Sequence, residues 1–247
     1  MCEIKSIAVY CASSNKVRES FMAAAERLGK LMAEDGKILV YGDGGIGLMA
    51  AVARGALSVG GKVIGVIPQF MVDQGWNNPN STETIVTQTM HERKATICEI
   101  SDAMVALPGA IGTFEELLEC LTWKQLGLHH NPVVILNTDG YYDKLLECID
   151  LMVEEQMMRP IHKEMFVVVR EPEEVLPAIM SAPAWIQVHA DWHLFNRLSV
   201  VADGRAVSYI IFNVRALGIL GAVCVVGGAS YESFFYNGHS IGISRFI

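Results

Sequence analysis

From Ser6 to Met180 the chain alternates between short apolar runs and longer stretches with helical spacing, and several of the apolar runs end in turns of small residues. Ser6–Tyr10, Ile38–Tyr41, Val63–Ile67, Ala103–Leu107, Pro132–Leu136 and Phe166–Val169 read as strands. Phe21, Ala25, Leu28 and Met32 recur at one-turn spacing ahead of Gly36, which gives a first helix and its stop. Further helices are expected over Gly47–Leu57, Met90–Ile100, Thr113–Leu126, Tyr142–Glu155 and Glu173–Met180. The strand runs are continuously apolar, and hydrophobic residues make up 51% of the chain against 19% charged, as strands covered on both faces require. Repeated strand–helix order predicts an α/β fold, a Rossmann-like doubly wound parallel sheet with helices on both faces. In such a sheet, ligands bind at the carboxyl ends of the strands, where three small-residue turns fall: Cys11–Ser14, Gly42–Gly45 and Pro108–Thr113. Pro68–Thr82, with Asn77-Asn78-Pro79-Asn80 near its middle, is expected to be a polar, mobile surface loop.

This pattern covers residues 1–180, read as one domain; residues 181–247 read as an extension of unknown role. The extension is poor in charge and holds the apolar run Ala206–Ala229. Asn213 and Arg215 interrupt that run, and a charge near mid-span is costly in a bilayer, so no membrane association is expected. The net charge of −8 argues against nucleic acid as a partner, since counterion release needs clustered Lys and Arg. The six cysteines show no CxxC pairing and read as packing residues in a reducing compartment. No basic segment followed by an apolar one opens the chain, so a cytoplasmic protein is expected.

The most informative stretch is Leu107-Pro108-Gly109-Ala110-Ile111-Gly112-Thr113-Phe114-Glu115-Glu116. A strand ends in Pro-Gly, turns through small residues and restarts as a helix carrying two glutamates. Small residues admit close backbone approach, and the free N–H groups of a first helical turn attract an anion. Backbone donors over Gly109, Ala110, Ile111, Gly112 and Thr113 therefore form a candidate phosphate cradle. Glu115 and Glu116 fall on different faces of the helix, so at most one can face a ligand well. Met90-His91-Glu92-Arg93-Lys94 lies upstream and supplies two cations. Ser13 is either a phosphate contact or a helix cap. Together these groups suggest chemistry on a phosphorylated small molecule, with no metal and no organic cofactor required.

Met90–Lys94 followed by Pro108–Glu116 resembles the MxxRK and PGGxGTxxE signature of the LONELY GUY proteins, cytokinin riboside 5′-monophosphate phosphoribohydrolases often mislabelled as lysine decarboxylases. The likeness continues through Tyr10–Ser14, Tyr41–Met49, Leu121–Gly127 and Leu136–Tyr142. The resemblance implies hydrolysis of the N-glycosidic bond of an N6-substituted adenosine 5′-monophosphate, or of AMP itself, to free base and ribose 5-phosphate. It implies Glu116 as the catalytic carboxylate, with Glu115 as a secondary contact, Arg93 as the catalytic cation near the leaving base, and Lys94 and Thr122 as substrate contacts. It further implies a homodimer.

The chain departs from that signature at Ala12, Asp43, Ala50 and Ala110, where the family carries glycine. A methyl there could block backbone approach or forbid a positive φ, and Asp43 is expected to put negative charge near the phosphate. A non-catalytic purine-nucleotide-binding module is accordingly the second reading.

Overall fold

Strand order and direction fix where a ligand can sit. The computed structural model describes residues 3–183 and 185, and the backbone of five C-terminal strands. In chain order the first part runs β1 (Ser6–Tyr10), α1 (Glu19–Glu34), β2 (Ile38–Tyr41), α2 (Gly47–Leu57), β3 (Val63–Pro68), α3 (Gln69–Asp73), β4 (Glu83–Thr87) and α4 (Met90–Glu99). It continues with β5 (Ala103–Ala106), α5 (Ile111–Gln125), β6 (Val133–Leu136), α6 (Asp143–Glu154), β7 (Val167–Val169) and α7 (Pro172–Ser181). The sheet order is β4-β3-β2-β1-β5-β6-β7, and every pairing is parallel. The chain winds outward from β1 in one direction, then returns to lay β5 on its other side. The turns after β1 and β5 therefore diverge and open a crevice at the carboxyl edge.

Alternation along each strand sends successive side chains to opposite faces. Ile7, Val9, Leu39 and Val105 pack with residues of α1, α2 and α7, whereas Ala8, Tyr10, Val40 and Met104 pack with Ile97 of α4 and with Leu117 and Leu121 of α5. Both faces are covered, which is why the strands read as unbroken apolar runs.

Helices α1 and α2 meet through glycine. A Cβ on Gly29 would run into the Val52 carbonyl oxygen, and one on Gly55 into the Glu26 carbonyl oxygen. Backbone atoms cannot retreat as a flexible side chain can. Gly55→Ala is therefore expected to cost about 1–3 kcal/mol through overpacking. Gly112→Ala, whose Cβ meets nothing within 4 Å, is the control with no loss. Thermal unfolding followed by circular dichroism compares the two, and equal midpoints would remove the glycine contact as the reason for this helix spacing.

One expectation needs correction. The segment after β3 is not a free loop. It forms α3, bridges Gly44 to Asn77, buries Asn78 and leads into an edge strand, β4, that was not anticipated. Asn78 is held by tertiary bonds, its side-chain amide donating to the Tyr41 hydroxyl at 2.9 Å and its N–H to the Asp43 carbonyl at 2.7 Å, which no local pattern announces.

The first compact unit runs from Met1 to Trp185. Trp185 is buried and its indole N–H donates to the Lys124 carbonyl at 3.0 Å. The second unit, Ile186–Ile247, carries an antiparallel sheet of β8 (Asn196–Ala202), β9 (Arg205–Val214), β10 (Ile219–Val226), β11 (Ala229–Tyr236) and β12 (His239–Phe246), each paired to the next. The apolar run Ala206–Ala229 is divided among β9, β10 and the first residue of β11. Among the described residues no helix is long and apolar enough to cross a membrane.

Candidate functional site

A cavity of about 450 Å³ opens at the carboxyl ends of β1, β2, β3 and β5, within the size range of small-molecule sites. The turn after β1 contributes Cys11, Ala12 and Ser13, the turn after β2 Gly42 and Gly44, and the start of α5 Ala110, Gly112, Thr113, Glu115 and Glu116. Gly47 lets the first two turns meet. It adopts φ +65°, and a Cβ there would collide with the backbone of Ser13 and Ser14.

Helix α5 starts without a side-chain cap, its N-cap being Ala110. Among the described residues the N–H groups of Gly109 through Thr113 take no acceptor, so the first turn is open to an anion. Ala110 has φ −90°, ordinary for any residue, so alanine in place of the family's glycine strains nothing there. Gly109 is required for a different reason: a Cβ there would strike the Thr113 side chain.

On α5 the buried stripe is Thr113, Glu116, Leu117, Cys120, Leu121 and Lys124, which follows helical periodicity. Glu116 lies on this stripe, whereas Glu115 is turned about 100° away toward solvent. Both border the cavity, but only Glu116 is buried. Its partner comes from α4. Thr89 caps that helix, its hydroxyl accepting from the Glu92 N–H at 3.1 Å, and the first turns then direct Arg93 and Lys94 inward. Arg93 Nη1 donates to Glu116 Oε1 at 2.9 Å, Nε to the Val66 carbonyl at 3.0 Å and Nη2 to the Gly42 carbonyl at 3.4 Å. The guanidinium is clamped on three sides. Burial raises the Glu116 pKa above the usual glutamate value, and the charge and hydrogen bond of Arg93 offset part of that rise. The Cys11 thiol on the same wall is pushed up by burial and by the Glu116 charge, which favours the neutral thiol over the thiolate.

Of the other expected site residues, Ser13 borders the cavity and caps nothing, since the N-cap of α1 is Arg18. Ile111 projects outward at 86% exposure and can offer only its N–H. Lys94 points to the far side of α5, pairing with Glu115 and, at 3.0 Å, with Glu119. Burial works to lower its pKa, and these carboxylates raise it on balance. Thr122 does not line the cavity. It is exposed, with its hydroxyl donating to the Leu118 carbonyl at 2.7 Å.

Asp43 is the clearest departure from expectation. Its carboxylate turns away from the cavity and is fully buried, accepting from the hydroxyls of Ser81 at 2.5 Å, Tyr41 at 3.2 Å and Thr84 at 3.2 Å. Burial raises its pKa, and the three hydroxyl donors pull it back in part. Asp43 has φ +56°, which the hydrogen bonds hold in place. Gly65 gives the carboxylate its room, because a Cβ on it would overlap the carboxyl group. The negative charge is thus spent on fastening the segment before β4, not on the phosphate end.

Sequence reasoning missed the apolar wall formed by Ile46, Met49, Ile67, Met71, Trp76 and Met90. Ile46 and Met49 lie within the glycine-rich turn and could have been found there. Met71 and Trp76 reach the cavity only because the segment after β3 folds back on the turn after β2, with Gly45 N–H donating to the Trp76 carbonyl at 3.0 Å.

Residues 49–179 match the family described as "Possible lysine decarboxylase". Among curated proteins, the chain is 42% identical over 172 residues to a probable cytokinin riboside 5′-monophosphate phosphoribohydrolase of Oryza sativa subsp. japonica, spanning 70% of this chain and 69% of that one. It is 41% identical over 172 residues to a cytokinin riboside 5′-monophosphate phosphoribohydrolase of Arabidopsis thaliana, spanning 70% and 75%. Among solved structures, the molybdenum cofactor carrier protein of Chlamydomonas reinhardtii superposes with a TM-score of 0.56 at 24% identity, over 73% of this chain and 98% of that one, which shows a shared fold. Among the described residues no lysine lines the cavity, so nothing there could form the Schiff base of a pyridoxal-phosphate decarboxylase.

Proposed function

The chain belongs to the family of cytokinin riboside 5′-monophosphate phosphoribohydrolases, and on that premise we propose that it hydrolyses the N-glycosidic bond of N6-substituted adenosine 5′-monophosphates to free base and ribose 5-phosphate. One observation carries the reading: a buried carboxylate, Glu116, clamped by Arg93, shares a cavity with the uncapped first turn of α5, where Ala110, Gly112 and Thr113 line it.

The chemistry follows from the charges. Cleaving the bond from ribose C1′ to the base leaves positive charge on the sugar, and the base departs with the bonding electrons. Glu116 stabilises that charge and takes a proton from the attacking water. Its raised pKa suits this second task, because a base works best with a pKa nearer the operating pH. Arg93 keeps Glu116 ionised and aimed, and three of its five N–H donors are engaged by Glu116 and the Val66 and Gly42 carbonyls. The N–H groups of Gly109 to Thr113 hold the 5′-phosphate, which does not react but positions the scissile bond. The purine and its N6 substituent lie along the apolar wall.

We read the catalytic unit as Met1–Trp185, cytoplasmic and working as a homodimer. Ile111, Leu118, Leu126 and Leu128 are exposed on α5 and the turn after it, which supports a partner surface there.

The test is substrate choice. N6-isopentenyladenosine 5′-monophosphate should release base and ribose 5-phosphate in equal amounts, while isopentenyladenosine falls by about 100-fold or more in kcat/KM for want of its phosphate anchor. Equal turnover of the two would refute the cradle. Binding without base release would favour a non-catalytic nucleotide-binding protein.

A further inference from the structure

The phosphate loop is held from behind. Leu107, Pro108 and Gly109 are successive residues leading into α5, and each carbonyl accepts one hydrogen bond from outside the loop. The Tyr142 hydroxyl donates to the Leu107 carbonyl at 2.6 Å, the Ala12 N–H to the Pro108 carbonyl at 3.1 Å, and the Tyr141 hydroxyl to the Gly109 carbonyl at 2.5 Å. In a trans peptide the carbonyl and the following N–H point in opposite directions. Fastening the Pro108 and Gly109 carbonyls on one side therefore turns the N–H groups of Gly109 and Ala110 to the other.

Both tyrosines come from the turn after β6, and that turn is itself fixed. Asn137 takes the Val169 carbonyl through its N–H at 2.7 Å, accepts the Tyr142 N–H on its side chain at 2.6 Å and donates to Asp143 at 2.7 Å. The rings then pack edge to face, Tyr141 on Tyr142 at 5.2 Å and on Phe21 at 5.5 Å. Phe114, in the first turn of α5, lies 5.4 Å from Tyr142. One aromatic cluster thus braces both the loop and the helix that follows it.

Building on the phosphoribohydrolase reading, we propose that Tyr141 is a positioning residue for the 5′-phosphate. It touches no substrate. It holds the Gly109–Ala110 peptide, and so the Ala110 N–H, in the orientation that the phosphate needs, so that binding costs no rearrangement of that peptide plane. Tyr142 is fully buried, and Tyr141 is about one-third exposed.

Tyr141→Phe isolates the effect, because it removes only the hydroxyl from a partly exposed site and keeps the ring. Calorimetric affinities of the full-length protein for AMP, ribose 5-phosphate and adenosine provide the readout. AMP and ribose 5-phosphate should bind about three- to tenfold more weakly in the variant, the size of one lost hydrogen bond, and adenosine should bind unchanged. KM for the nucleotide should rise by the same factor. Tyr142→Phe, whose lost partner is the carbonyl ahead of Pro108 where no N–H follows, should lower the melting temperature without that selectivity, since it leaves a buried carbonyl unpartnered. Unchanged AMP affinity in Tyr141→Phe, or an equal loss for AMP and adenosine, would overturn the proposal. The ribose 5-phosphate measurement holds whether or not wild-type protein cleaves AMP, so failure of the hydrolase reading is seen separately.

Discussion

Replacing Glu116 with glutamine is expected to lower kcat by about 10²- to 10³-fold while nucleotide affinity changes little. The amide keeps the size of the carboxylate and can still accept from Arg93, whose remaining donors keep the Val66 and Gly42 carbonyls. What is lost is the negative charge facing the developing cation, a contribution of about 2.7–4 kcal/mol in preorganised sites, together with the base that activates water. Steady-state release of the free base, calorimetric nucleotide binding and circular dichroism on the same preparation test the three parts. Wild-type kcat in a folded variant would remove Glu116 from the chemistry. The wild-type pH profile carries a related signature. Burial lifts the Glu116 pKa above 4.5 against the pull of Arg93, and only the ionised form works. The acid limb of kcat should accordingly sit above the ordinary glutamate range.

Arg93→Ala should have the largest effect on stability, about 3–5 kcal/mol at neutral pH, because it strands a buried carboxylate. Turnover falls with it. The pH dependence identifies the cause. Without the guanidinium, the Coulombic and hydrogen-bonding influences that lower the Glu116 pKa vanish, and its folded-state pKa climbs further above the unfolded value. Between those two values the folded protein binds a proton that the unfolded chain does not, so stability falls as pH rises through the folded pKa. The melting deficit of Arg93→Ala relative to wild type should therefore be smallest at or below the ordinary glutamate pKa and widen as pH rises above it. Arg93→Lys restores the charge without the three-pronged clamp and should recover part of the stability. A small deficit that does not vary with pH would assign Arg93 to packing alone.

The departures from the family pattern separate what one chain position reveals from what needs the fold. Ala110 and Asp43 look alike in sequence, each standing where glycine is expected. Ala110 is harmless because its φ is negative. Asp43 sits at positive φ and is tolerated because Gly65, on a neighbouring strand, leaves a space that three hydroxyls line. Neither the φ angle nor that space is written in the local pattern. Thr122 makes the same point from the other side: its place in a likeness suggested a contact, and in this chain it bonds its own helix, away from the cavity.

By itself the sequence determined the alternation of strands and helices, the burial of the sheet on both faces and the glycine-rich turn that opens α5. These depend on short-range physics: side-chain period, backbone freedom at small residues and the open N–H groups of a first helical turn. It also placed Glu116 and Arg93 on helices without showing that they touch. Their 2.9 Å contact joins residues from helices on either side of β5, and only the parallel order around β1 brings those helices to one crevice. Tertiary structure likewise decided which of two adjacent glutamates is buried, where the Asp43 charge goes, and that Met71 and Trp76 wall the cavity. The reason is the same throughout. A buried charge or polar group is set by the partner that satisfies it, and those partners lie tens of residues away along the chain.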